Sequence, residues 1–401
     1  MDGTMPKNVT YQKKKRNQKI LICESRDLSY GSSGFFLRQI RTELEKQDIL
    51  VEHFKLQEDL SNLNDLEDYA DRSFAAILDI NSHLPRMVLE DGTYLLDHIR
   101  APFFNYIVDH PVHLHPLLSS PARNHYILCL DKLHQQYIQT YYPNISGCFV
   151  MPLAGSVPQI CKPYPERSRH IYFPGTYVPL VEYEAKLRML DETLISMTEE
   201  YDRKLQAGET VPDLITWFRI QQGKNAPSPQ QLHTRCRYMD RYLREMMRHR
   251  VLEAVLSEGY CIHVTGAHWE YYDGKYDDQL IMQPACDYET MLSQIGDSQI
   301  VLNVQPLFPN AAHDRILCGM AGGAVVLTDA CSFLEENFIA GQHYLRYESH
   351  SPKHSIHKLR RYLHNTETLC NIAEEGKQSV REAYLWSHWT RRFLQLLESQ
   401  K

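Results

Sequence analysis

Short apolar runs, several rich in β-branched residues, alternate along the chain with stretches whose apolar positions recur every three or four residues. Ile20 to Cys23 predicts a first strand, the Gly31-Ser32-Ser33-Gly34 loop follows, and Phe36, Leu37, Ile40 and Leu44 share one face of a helix running to Lys46. Ile49 to Val51 with Phe54 closes a strand–loop–helix–strand unit, the opening of a parallel α/β domain. Further strands are predicted at Phe74–Ile80, Phe103–Val108, Tyr126–Leu130 and Cys148–Met151, with a helix over Lys132–Tyr141. A second series begins at His170–Phe173 and turns at Pro174-Gly175-Thr176-Tyr177. A single long charged helix is predicted from about Val181 to Gln206, and a Pro-, Ser- and Asn-rich breaker over Gly223–Gln231. Helix resumes over Leu232–Glu258, with strands at Tyr260–Thr265, Ile300–Val304 and Ala324–Thr328, helix over Ala312–Met320, and helix again from about Ile356 to Ser399.

The pattern predicts two Rossmann-like α/β domains, 18–160 and 165–375, the second carrying a helical insertion at about 181–258. Residues 376–401 are expected to form a C-terminal helix packing back on the first domain. At 401 residues, 43% apolar and 23% charged, the composition is that of a globular protein and excludes a disordered or fibrous chain. The formal charge of −7 gives no general attraction to nucleic acid. The basic run Lys13 to Arg16 reads as a solvated tail. No apolar core for a signal peptide and no membrane-length apolar run follows it, so a cytoplasmic protein is expected. Ten cysteines without a Cys-x-x-Cys pair, several inside apolar runs, read as reduced and buried.

Chemistry concentrates where strands end, since open α/β sheets bind ligands at that edge. After the Ile300–Val304 strand, Asn303 precedes a loop with Pro306 and Pro309, and a helix starts near Asn310 or Ala312 with His313 and Arg315 in its first turn. Free backbone N–H groups there favour a phosphate, and Arg315 adds a forked donor; the competing view is of ordinary surface residues. Gly175, Thr176 and Tyr177, then Gly266 with His268 and Trp269, end the two strands beside it, as ligand contacts or as simple turns and core. In the first domain, Asp109 and His110 end a buried strand and are candidates for a base, with His113 and His115 nearby. A metal site and purely structural histidines are the rival readings. Gly31, Ser32, Ser33 and Gly34 are candidates on the acceptor side, or merely permit close helix packing, and they lack dinucleotide-site spacing. Aspartates two apart, a spacing that can hold a metal, occur nowhere, so negative charge on a ligand at this edge falls to Arg315, loop amides and a helix terminus.

The string Ile300-Val-Leu-Asn-Val followed by His313-Asp-Arg-Ile-Leu-Cys-Gly-Met-Ala-Gly-Gly-Ala-Val-Val-Leu-Thr-Asp329 resembles the donor-binding half of GT-B glycosyltransferases, in particular the group-1 type of spore-maturation-like bacterial proteins. Trp386-Ser-His-Trp-Thr-Arg-Arg-Phe-Leu-Gln-Leu-Leu397 resembles that family's closing helix, and His170 to Thr176 the turn that opens its donor domain. The resemblance implies two facing domains that close on the reactants and a bacterial origin. It also implies transfer of a sugar, of the hexosyl type, from a nucleotide sugar to a protein or glycan acceptor, with no cofactor, no metal and no nucleic-acid partner. The donor contacts it implies are Gly175, Thr176, Tyr177, Gly266, His268, Asn303, His313, Arg315, Gly322 and Gly323. One departure stands out: Cys318 occupies the place of the family's glutamate, which contacts donor hydroxyls, and a thiol is no anionic acceptor. That departure admits a GT-B-shaped binding or scaffold protein as the alternative. The insertion is read either as a surface for a second copy or a partner subunit, or as a solvated hairpin.

Overall fold

The computed structural model describes residues 19–223, 228–305 and 310–400. The basic run Lys13–Arg16, residues 224–227 of the breaker segment, and Pro306 and Pro309 lie outside the described residues. The chain divides into two compact units, one made of residues up to 152 together with those from 386 onward, the other of 153–385.

The first unit is built on a six-stranded parallel sheet: β1 (Lys19–Glu24), β2 (Leu50–Lys55), β3 (Ala76–Ile80), β4 (Phe103–Tyr106), β5 (His125–Cys129) and β6 (Gly147–Val150), in the order β2-β1-β3-β4-β5-β6. All five residues of β3 and all four of β4 are buried, as expected of parallel strands covered on both faces. Helix α1 (Ser32–Glu45) returns the chain from β1 to β2, burying Phe36, Leu37, Ile40 and Leu44, the stripe read from the sequence. Helix α2 (Lys132–Tyr141) starts at Asp131, whose carboxylate accepts from His134 N at 2.7 Å.

The second unit repeats the plan with β7 (Arg169–Pro174), β8 (Ile262–Thr265), β9 (Leu280–Gln283), β10 (Ser298–Leu302), β11 (Val325–Thr328) and β12 (Leu345–Arg346), ordered β12-β11-β10-β7-β8-β9. The strand order reverses between β7 and β10, and it is there that sheets of this kind leave a crevice at the carboxyl ends. Between β7 and β8 lie α3 (Leu180–Leu190), α4 (Thr193–Gln206), α5 (Leu214–Gln222) and α6 (Pro229–Leu256). The single helix expected over 181–206 is therefore two: Asp191 is extended (φ −172, ψ 123), and its carboxylate accepts from Thr193 N, opening the next helix with a local turn. Helix α5, with Trp217 and Phe218 buried, and the short strands β9 and β12 have no counterpart in the sequence reading. Then come α7 (Tyr288–Gly296), α8 (Asp314–Ala321), α9 (Pro352–Leu363) and α10 (Thr366–Ala383).

The last helix, α11 (Trp386–Ser399), belongs to the first unit. Trp386 packs on Phe36 of α1 (ring centroids 5.2 Å), Trp389 on Tyr106 (5.2 Å) and Phe393 edge-on to Phe104 (5.4 Å). Among the described residues no helix is long and apolar enough to cross a membrane.

Candidate donor and acceptor sites

At the reversal point of the second sheet, Asn303 follows β10 and is fully buried. Its Nδ2 donates to Thr328 Oγ1 at 3.0 Å, its backbone carbonyl accepts from Tyr347 OH at 2.9 Å, and its Oδ1 accepts from Arg315 Nη1 at 3.3 Å. Thr328 Oγ1 in turn donates to Asp329 Oδ1 (3.2 Å), which also accepts from Gln305 N (3.0 Å). Burial pushes the Asp329 carboxyl up to about 6 despite these bonds. Arg315 is thus aimed by a chain of buried polar groups rather than left to its own rotamers.

His313 immediately precedes α8. Its Nδ1 contacts Asp314 Oδ1 and lies 3.3 Å from Arg315 N, while its Nε2 lies 3.4 Å from Arg315 Nη2. Nδ1 accepts from Arg315 N as the helix cap, and burial together with the charge of Arg315 lowers the ring's affinity for a proton. Burial works to raise the Asp314 carboxyl, but His313 and Arg315 hold it well below the usual range. Burial pushes the Arg315 guanidinium down to about 10, so it keeps its charge at neutral pH.

A second arginine reaches the same place from the insertion. Arg248 of α6 donates through Nη1 to the Thr176 carbonyl at 2.7 Å and to both carboxylate oxygens of Glu245 at 2.9 Å. The guanidinium carbons of Arg248 and Arg315 lie 5.6 and 5.3 Å from the centroid of the same ring, Phe173 at the end of β7. Beyond Phe173, Gly175 turns the chain where β8 ends. Gly266 (φ +149) lies so close that a Cβ on it would sit 2.2 Å from the Gly175 carbonyl oxygen, and Trp269 Nε1 donates to that oxygen at 2.7 Å.

Gly175, Thr176, Gly266, Asn303, His313 and Arg315 therefore share the carboxyl edge of β7, β8 and β10, whereas the other four expected donor contacts do not converge there. Tyr177 is buried against Trp269 and donates to Asp273 at 2.9 Å. His268, in left-handed backbone (φ 69), is exposed. Gly322 and Gly323 close the opposite end of α8, where Arg167 donates to both of their carbonyls (2.9 and 2.6 Å). Cys318 is fully buried: Ser156 N donates to its sulfur at 3.3 Å and Tyr288 OH lies 3.5 Å away. Burial pushes the thiol up to about 12. Tyr288 OH donates instead to Asp314 Oδ2 at 2.8 Å, so the carboxylate on this face of α8 stands one turn before Cys318.

In the first unit, Asp109 is half-buried beyond β4 and accepts from Asn81 Nδ2 at 2.8 Å; Asn81 Oδ1 accepts from Val108 N at 3.1 Å, and Asn81 itself takes the left-handed conformation (φ 44). His110 Nδ1 accepts from Val112 N at 3.1 Å, which leaves the proton on Nε2, and its ring meets His134 edge-on (4.8 Å) and Tyr137 (5.6 Å). His115 pairs with Tyr142 OH at 3.1 Å. Among the described residues no group of three or more His, Cys, Asp or Glu side chains is placed to hold a metal ion. Gly31 (φ 73) turns the chain into α1. Ser33 Oγ is fully buried and donates to Arg26 O and Asp27 Oδ1 (both 3.1 Å), and a Cβ on Gly34 would sit 2.8 Å from Glu24 Oε1. Ser33 and Gly34 thus serve the strand-to-helix turn, while Gly31 and Ser32 lie at its half-exposed start.

Residues 244–395 match the family model described as glycosyl transferase-like. Among solved structures the chain is similar to an α-glucosyltransferase in complex with UDP, at 12% identity and a TM-score of 0.58 over 95% of this chain and 100% of that one. It is similar to sucrose-phosphate synthase from Thermosynechococcus elongatus at 10% identity and a TM-score of 0.55, over 96% and 99% of the two chains. For HepE from Anabaena in complex with UDP and glucose the values are 11%, 0.52, 96% and 100%. No curated protein matches the sequence. The chain has the GT-B fold of these structures, and the match to the glycosyl transferase-like model lies in its second unit and the last helix.

The stretch matched by the family model begins at Arg244, so it takes in Glu245 and Arg248 as well as Arg315. Sequence reasoning missed Glu245 and Arg248 by treating all of α6 as insertion. The signal was present: Arg244 and Arg248 stand four apart on one helix face with Glu245 between them.

Proposed function

We propose that the chain is a glycosyltransferase that moves a sugar from a nucleotide-sugar donor bound by the second unit to a protein or glycan acceptor bound by the first, without a metal. The observation that carries this reading is the pair Arg315 and Arg248, converging on Phe173 at the sheet's reversal point, with Arg315 fixed through Asn303 and His313. Fixed guanidinium groups stabilise charge that grows on a departing diphosphate without having to reorganise. Gly175, Thr176 and Gly266 border the same place, at the carboxyl ends of β7 and β8, with their backbones packed closely together. Asp314, held by Tyr288 and His313, takes the role of acceptor for donor hydroxyls that Cys318 cannot fill. On the acceptor side, Asp109, oriented by Asn81, is the proposed base, with His110 beside it. Two of the similar structures were solved with UDP, which makes uridine nucleotides the first donors to try.

The test is a transfer and donor-hydrolysis assay over UDP-, GDP-, ADP- and TDP-sugars, with and without EDTA. Arg315→Ala is expected to lower kcat/KM by about 100-fold or more, the scale of removing one preorganised charge-stabilising donor. Unchanged transfer by Arg315→Ala contradicts the donor-site assignment, and activity abolished by EDTA and restored by Mg²⁺ contradicts metal independence. Binding of a nucleotide sugar with neither transfer nor hydrolysis favours a scaffold, the alternative that Cys318 raises.

A further inference from the structure

Glu245 is an awkward residue for a site that receives phosphates. It is 8% exposed, faces Arg248 at 2.9 Å through both oxygens, and stands within electrostatic reach of Arg244 on its own helix and Arg315 on α8. Tyr183 of α3 and Tyr177 of the β7 loop also sense its charge, and neither is a base. Two of these arginines already have acidic neighbours: Asp240 contacts Arg244 at 3.0 Å, and Asp314 lies beside Arg315. Arg244, Arg248 and Arg315 are thus matched by Asp240, Glu245 and Asp314, and a diphosphate docking on this cluster adds negative charge to a balanced set. Burial already makes Glu245 harder to ionise than an ordinary glutamate, even against the three arginines.

We propose that Glu245 is a resident counter-ion for the donor's diphosphate: it competes with the diphosphate for Arg248 and gives way by taking up a proton when the donor binds. Arg248 does not depend on Glu245 alone for its position, because the same Nη1 donates to the Thr176 carbonyl at 2.7 Å. A protonated Glu245 therefore releases charge without releasing the arginine. The step is a simple proton gain, carboxylate plus solvent proton giving carboxylic acid, and it makes donor affinity depend on pH through a group that does not touch the transferred sugar. The inference rests on the nucleotide-sugar reading of this site.

The experiment is calorimetric titration of the full chain with UDP-glucose, whose phosphates do not titrate near neutrality, in buffers of different ionisation enthalpy and across about pH 6 to 8. The parent is expected to take up a proton on binding and to lose affinity as pH rises, by up to about tenfold per pH unit. Glu245→Gln keeps a partner for Arg248 but cannot titrate, so it is expected to bind without that uptake and more tightly than the parent at the alkaline end. Binding by the parent without proton uptake overturns the inference while leaving the nucleotide-sugar reading intact, and requires no variant to fold. Uptake that persists in Glu245→Gln assigns the proton to another group, His313 foremost, and also overturns it. If UDP-glucose does not bind, GDP-, ADP- and TDP-glucose are titrated in the same way; binding by none of the four overturns the site reading and this inference together.

Discussion

His125 shows how much a single side chain can say about a fold's tolerances. It sits in β5 as the register partner of Phe103, fully buried, with its ring 5.4 Å from the Phe103 ring and neither ring nitrogen bonded among the described residues. Burial pushes it down to about 3 from an ordinary 6.5, so the folded protein carries it neutral. The unfolded chain binds a proton below about pH 6.5 and the folded chain does not, so this residue removes stability as pH falls from about 6.5 toward 3, by at most about 1.4 kcal/mol per pH unit. Replacing it with a ring that needs no partner, His125→Phe, is expected to raise stability by about 1–2 kcal/mol and to flatten the acid side of the profile, read from urea midpoints at several pH values. A lower midpoint at neutral pH would show that the ring has a partner after all. Asp79 is a buried acid of the opposite kind. Burial pushes it up to about 7, yet it accepts from Ser25 N, Ser25 Oγ and Ile80 N at the carboxyl ends of β1 and β3, so it is fully used by the fold.

Among elements, α11 and α6 carry the lessons that chain order hides. Helix α11 is last in sequence but completes the first unit, where Trp389 stacks on Phe393 (5.4 Å) and against Tyr106. Trp389→Ala is expected to cost about 3–5 kcal/mol of that unit's stability, the usual range for emptying a buried aromatic site, seen as a lower unfolding midpoint. No loss would contradict the packing of α11 on β4. The strand and helix pattern was legible because parallel strands buried on both faces read as near-continuous apolar runs, as β3 and β4 do apart from Asp79 and Asn105. The helix expected over 181–206 was misread because the break at Asp191 depends on one carboxylate and one Thr N–H, with no Gly or Pro to mark it. Strands β9 and β12 are sheet edges of four and two residues, too short for a period to show. The Asn303–Arg315 segment was legible as a site because its chemistry lies within one local stretch. Arg248 was not, because it reaches Phe173 only through the folding of an insertion whose contacts are tertiary.

For the molecule as a whole, two parallel sheets account for the fold, and the proposed phosphate recognition is a local matter. The formal charge is −7, yet arginines from α6 and α8 meet over Phe173 at the one point where the second sheet's strand order reverses. Under the proposed function, attraction for a nucleotide comes from a small, preorganised set of groups rather than from the surface as a whole. The central claim is that this set receives the donor's diphosphate. A crystal structure of the protein soaked with UDP or another nucleoside diphosphate tests it most directly. The account predicts diphosphate density against the guanidinium groups of Arg315 and Arg248, with the Gly175–Thr176 loop and Gly266 alongside. Diphosphate bound instead at the Gly31–Gly34 turn of the first unit, or away from both arginines, contradicts it.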